Sequence, residues 1–110
     1  MRIAIPTTPA GQVDQSWGRA PRVTVAQVEN AAVTEWNDFD VEWDRLHDAD
    51  GEGGHHARIA RFLLDHNVDR VAAAHMGPGM TVMLDRMGIP VDLGVSGDGR
   101  AVALESAGRG

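Results

Sequence analysis

Three of the five histidines in this 110-residue chain fall in two short glycine-rich stretches. His55 and His56 close Gly51-Glu-Gly-Gly-His-His56, and His75 opens His75-Met-Gly-Pro-Gly79. Neutral imidazole ligates iron, zinc, nickel or copper, whereas calcium and magnesium prefer carboxylates and carbonyls, so the clustering points to a transition metal or a metal cluster. The glycines add a second chemistry. Each stretch runs into the start of an expected helix, where unpaired N–H groups and the positive end of the helix dipole favour an anion. Gly53, Gly54 and Gly77 are then the backbone part of a binding site, and His55, His56 and His75 its candidate metal ligands. Arg19, which closes Ser16-Trp-Gly-Arg19, adds a fixed positive fork suited to a carboxylate or phosphate. Each of these residues also has a structural role open to it. The glycines permit tight strand-to-helix turns, His55 lies four residues from Ile59 on one helix face and can pack there, and Arg19 can brace its own loop. His47, in polar surroundings, and His66, near a helix carboxyl end, are expected to be structural.

The elements that must position these groups follow from patterning. Residues 3–5 form a short apolar run that predicts a strand, and residues 7–21 form a long loop rich in Gly, Pro and polar residues. Residues 22–28 and 32–39 are β-branched segments joined by a turn, which predicts a hairpin. Phe39, Val41 and Trp43 alternate with acidic residues, the period of a further extended segment or loop. Helical spacing of Ile59, Phe62 and Leu63 predicts a helix from His55 to His66 with Asn67 as its stop, and a buried strand follows at 69–74. Pro78 opens a second helix with a Met80, Met83, Leu84, Met87 stripe and Gly88 at its end. A strand at 89–94 and a short helix over 96–106 complete the order β-β-β-α-β-α-β-α. The fold class is therefore α/β, a five-stranded mixed sheet in one domain spanning residues 1–106, with 107–110 as a flexible tail. Helical crossovers imply parallel neighbours, so with an antiparallel hairpin only the second strand runs backwards. Loops 7–21, 45–54, 75–79 and 94–99 then gather at one edge, where ligands of open α/β sheets sit.

Composition removes several alternatives. The absence of cysteine excludes disulfides, thiolate zinc sites, cysteine-held iron–sulfur clusters and thiol catalysis. A net charge of -6 has the wrong sign for neutralising nucleic-acid phosphates. No apolar run approaches the roughly 18 residues of a membrane span, and Pro6 ends the first apolar stretch too early for a signal-peptide core, which gives a cytoplasmic expectation. A metal-dependent nuclease would need carboxylates in the first strand, where Arg2-Ile-Ala-Ile-Pro6 has none. Ser96, between glycines, lacks an identifiable base. Asp38, Asp40, Glu42 and Asp44 are expected as solvated edge protection, and the methionine stripe as core filling rather than a docking face.

Five pieces of the chain, taken in order, carry a resemblance. They are Met1-Arg-Ile-Ala-Ile5, Trp17-Gly-Arg-Ala-Pro21 in place of a Phe-Gly-Arg-Ala motif, Gly53-Gly-His55, Gly77-Pro78, and Gly88-Ile-Pro-Val91 with Gly94 after it. Nearly end to end, the chain resembles the dinitrogenase iron-molybdenum cofactor biosynthesis family. The resemblance implies an RNase H-like three-layer α/β/α fold and a non-catalytic binding module. Its cofactor would be the iron-molybdenum cofactor or an iron-sulfur precursor, and its partners cofactor-assembly proteins. The family often has a histidine before Phe-Gly-Arg, where this chain has Ser16, and His-Gly-Gly where this chain has Glu52-Gly-Gly-His-His56. The alternative is a regulatory or protein-interaction domain of the same fold that has lost cofactor binding; the oligomeric state stays open.

Overall fold

A computed structural model describes residues 1–49 and 51–110. β1 (Arg2–Pro6), β2 (Arg22–Glu29) and β3 (Ala32–Asp40) form an antiparallel meander. Its tight turn places Asn30 and Ala31 both at positive φ, the geometry whose twist matches that of the flanking strands. α1 (Trp43–Leu46) and α2 (Gly51–Asp65) lead to β4 (Arg70–Ala73), α3 (Pro78–Arg86), β5 (Val91–Leu93) and α4 (Gly99–Arg109). The sheet order is β3-β2-β1-β4-β5, with β1–β4 and β4–β5 parallel, so β2 alone runs backwards as expected. Asn67 at φ 52° and Gly88 at φ 72° end α2 and α3 in the left-handed conformation, which stops a helix by turning the chain off its axis.

Both faces of the sheet are covered, which explains why β1 and β4 read as unbroken apolar runs. One face packs Ala4, Val23, Val25, Val71 and Ala73 against Trp17, Trp43, α2 (Ile59, Leu63) and α3 (Met80, Leu84). The other packs Ile3, Ile5, Ala26, Val28 and Ala72 against Val102 and Ala103 of α4. The arrangement is the three-layer α/β/α, RNase H-like fold, and no helix of the described residues is long and apolar enough to cross a membrane.

Element ends differ from expectation at three places. The alternating segment after Phe39 is not extended throughout: Glu42 takes φ 54°, α1 forms one turn, and Trp43 is buried against the edge of Trp17 at 5.3 Å between ring centroids. α2 starts at Gly51 rather than His55, so Gly53 and Gly54 lie in its first turn and not in a loop. α4 starts at Gly99 behind an Asp98 cap and runs through residues 107–109, expected as tail. Ala107 packs on the second core and Arg109 pairs with Glu105 at 2.9 Å, which gives that last turn partners.

Candidate functional site

At the carboxyl edge of the sheet, on the face covered by α2 and α3, lies a cavity of about 380 Å³. Four pieces of chain wall it: Trp17, Gly18 and Arg19 from the long first loop, His47 and Asp48 after α1, the start of α2 with Gly51, His55 and His56, and the start of α3 from Gly77 to Met80. Three of the four loops expected to converge do so. The loop before α4 does not, because the first loop divides. Its early part turns to the opposite face, where Val13 N–H donates to the Gly97 carbonyl and Gly99 N–H to the Gly11 carbonyl, both at 2.8 Å. Only its later part reaches the cavity.

Arg19, His55, His56 and Gly77 line the cavity as the sequence suggests. Gly53 and Gly54 sit in the first turn of α2 and do not line it, and exposed His75 lies outside it. Among the described residues, no three His, Asp or Glu side chains come together in an arrangement that could hold a metal ion. The trio His55, His56 and His75 is therefore not assembled.

His55 has a different position from the one a ligand needs. It is 6% exposed, its Nε2 lies 2.6 Å from the Gly18 carbonyl oxygen, and its Nδ1 lies 2.9 Å from Arg58 Nη1. A carbonyl only accepts and a guanidinium only donates, so Nε2 carries the proton and Nδ1 offers its lone pair to Arg58. Both ring nitrogens are engaged. His56 is half-buried at the cavity wall, with an interaction partner of its own.

The remaining wall is rich in donors. Gly77 is the N-cap of α3 and makes no side-chain cap, so Gly79 and Met80 bring first-turn N–H groups, and the positive dipole end, to the cavity without a capping acceptor. Pro78 has no N–H to satisfy. Trp17 is 2% exposed and its indole N–H has no hydrogen-bond partner among the described residues, an expensive omission for a buried donor. Asp48 is the only carboxylate among the described lining residues, and its Oδ2 lies 3.2 Å from His47 Nε2. Gly18 and Gly77 have ordinary φ angles, and a Cβ built on either meets no atom within 4 Å. Neither strand-to-helix geometry nor packing demands glycine at these two positions.

Sequence patterning missed His47, set aside for its polar neighbours, and Asp48 with it.

A model of the family described as dinitrogenase iron-molybdenum cofactor matches residues 1–108. No curated protein matches the chain. Among solved structures, a protein called PH0822 is 21% identical with a TM-score of 0.76, over 98% of this chain and 92% of that one. The apo form of the orange protein from Desulfovibrio gigas is also 21% identical, with a TM-score of 0.73 over 98% and 88%. A candidate dinitrogenase from Methanocaldococcus jannaschii is 12% identical, with a TM-score of 0.68 over 98% and 89%. At these identities the likeness to solved structures establishes a shared fold.

Proposed function

The chain belongs to the dinitrogenase iron-molybdenum cofactor family, and from that premise we propose that it is a non-catalytic module holding an anionic metal cluster in the cavity between α2 and α3. The observation that carries this is the pair Gly18 and Gly77, cavity-lining glycines whose side chains are missing where neither backbone angle nor packing requires it. Without a Cβ, the backbone at both positions is open to close approach by a ligand. The surrounding chemistry agrees in sign. Arg19 and the uncapped N–H groups of α3 donate, so they suit a ligand that accepts hydrogen bonds and carries negative charge.

The iron-molybdenum cofactor, or an iron-sulfur precursor of it, fits that donor set as a whole anion cradled by N–H groups and a guanidinium. It does not fit as a metal chelated by three side chains, for which the described residues offer no group. Arg19, Gly77 and Gly79 would make the contacts, with Gly51 and His56 of α2 on the facing wall. The bound group supplies the metal and sulfide atoms that cofactor-assembly proteins receive. The chain binds it, orients it and limits its contact with water, in the cytoplasm.

The test offers isolated iron-molybdenum cofactor to the purified chain without oxygen and follows iron and molybdenum through gel filtration. Wild type retains both metals. Arg19→Ala weakens retention roughly tenfold, the loss expected for one charge-assisted hydrogen bond. Gly18→Leu puts a side chain on the cavity wall and removes retention, with thermal unfolding followed to show that the variant remains folded. No retention by wild type rejects the proposal.

A further inference from the structure

His55 is the most deeply buried of the histidines, and both its ring nitrogens are committed to the protein. We propose that His55 is a positioning residue, a latch that fixes the Gly18–Arg19 peptide so that Arg19 and the cavity wall face the ligand, and not a metal ligand itself. The proposal rests on the cavity being the binding site.

Three contacts carry it. His55 Nε2–H donates to the Gly18 carbonyl at 2.6 Å, tying the long first loop to α2 across 37 positions of sequence. Arg58 Nη1 donates to His55 Nδ1 at 2.9 Å, which selects the tautomer that can make the first bond. The same Arg58 nitrogen lies 3.2 Å from the Leu46 carbonyl, directly before His47 and Asp48. One histidine and one arginine of α2 therefore pin two other walls of the cavity onto the helix. The ring is also held in place: Trp43 meets it edge-on at 6.4 Å between centroids, and Trp17 in turn packs edge-on against Trp43 at 5.3 Å.

The consequence for Arg19 follows from peptide planarity. The Gly18 C=O and the Arg19 N–H belong to one rigid plane, so a carbonyl held by His55 fixes where the Arg19 main chain points. Gly18 needs such a restraint more than another residue would, because without a Cβ its backbone is the least confined by sterics. A metal on His55 would have to displace either the Gly18 carbonyl or the Arg58 guanidinium, and on the Nδ1 side it would approach a fixed positive charge.

Two measurements on ligand-free protein test the latch directly. Long-range proton–nitrogen NMR of the His55 ring is expected to show Nε2 protonated and Nδ1 bare; the opposite tautomer overturns the proposal. In His55→Ala, exchange of the Ala20 amide, which donates to the Trp17 carbonyl at 3.1 Å, is expected to speed up roughly fivefold relative to the core amide of Val71, the factor for one lost hydrogen bond. His55→Gln, whose amide can donate to Gly18 and accept from Arg58, restores slow exchange. Unchanged exchange in both variants overturns the proposal, and if His55→Ala does not fold, the tautomer and the Gln variant still decide it. With isolated iron-molybdenum cofactor, a latch predicts near wild-type retention by His55→Gln, whereas a metal ligand predicts loss in that variant. Should wild type retain no cofactor, the binding reading of the cavity fails, while the tautomer and exchange results judge the latch independently.

Discussion

α3 and α4 begin at the same edge of the sheet, each after a parallel strand, and the protein treats the two starts in opposite ways. At α4 every feature is closed by the chain itself. The Asp98 side chain accepts from Ala101 N–H at 3.1 Å, Gly99 N–H donates to the Gly11 carbonyl, and a Cβ on buried Gly99 would stand 2.8 Å from that oxygen and 3.0 Å from the Trp36 ring. Arg100 lies over Trp36 at 4.7 Å. At α3 the cap residue is a glycine with no side-chain bond and open space where its Cβ would be. The Gly11 carbonyl occupies at α4 the position that a ligand acceptor would take at α3. A helix start answered by its own chain is structure, and one left unanswered beside a cavity is a candidate site.

The far end of α4 shows how complete the closure on that side is, and it gives the largest expected effect. Asp92 of β5 is 7% exposed; Arg70 donates to it from Nε and Nη2, both at 2.8 Å, Ser106 Oγ donates to the same carboxylate, and Arg109 Nη1 lies 3.6 Å away. The Arg70 hydrogen bonds, aided by Ser106, outweigh desolvation and hold the Asp92 carboxyl at about 2 instead of 3.8. Asp92→Asn leaves Arg70, only 12% exposed, without its counter-charge. A loss of about 3–5 kcal/mol in urea unfolding is expected, the range for breaking one side of a buried pair. Because the folded-state value is depressed, the wild-type contribution, about 2 kcal/mol by linkage, is present above pH 4 and disappears as pH falls through about 2. Near-neutral stability independent of Asp92 would break the contrast between a closed and an open side.

The same contrast separates two glycines. Gly99→Ala forces a methyl against the Gly11 carbonyl and the Trp36 ring, for a loss of about 1–3 kcal/mol. Gly18→Ala, with nothing within 4 Å, should shift the unfolding midpoint by no more than surface substitutions do, within about 0.5 kcal/mol. Equal losses for the two would show that Gly18 serves packing after all.

Periodicity carried most of the fold. β1 and β4 are legible because two-sided burial leaves no polar residue in Ile3 to Ile5 or Val71 to Ala73, and the Met80 and Leu84 stripe marks the buried side of α3. Element ends were less legible. Glycine is a poor helix former, so Gly51, Gly53 and Gly54 read as loop, yet in the structure they form the first turn of α2. The site was legible in residue type and only partly in role. His55 was visible as a histidine at a helix start, but its partner, the Gly18 carbonyl, is 37 positions away and leaves no trace in local spacing. The division of the first loop depends on equally distant pairings, Thr7 with Val13 and Gln12 with Asp98. His75 shares a short stretch with Gly77, but closeness in sequence does not carry a side chain round the turn into the cavity.

The smallest expected effects on stability are the most informative, because they exchange the treatment of the two helix starts. Asp98→Ala removes the cap of α4 and should cost about 1 kcal/mol, with cofactor retention unchanged. Gly77→Ser does the reverse: serine at the same extended backbone angles can accept from the first-turn N–H groups of α3, adding a few tenths of a kcal/mol. That hydroxyl would satisfy from within the chain the donors that the cavity otherwise presents, and its Cβ would stand in space now open. Slightly raised stability together with lost retention of iron and molybdenum is therefore the expected result. A Gly77→Ser protein that is more stable and still retains the cofactor would place the ligand elsewhere than at the start of α3, and leave the open helix end without the role assigned to it.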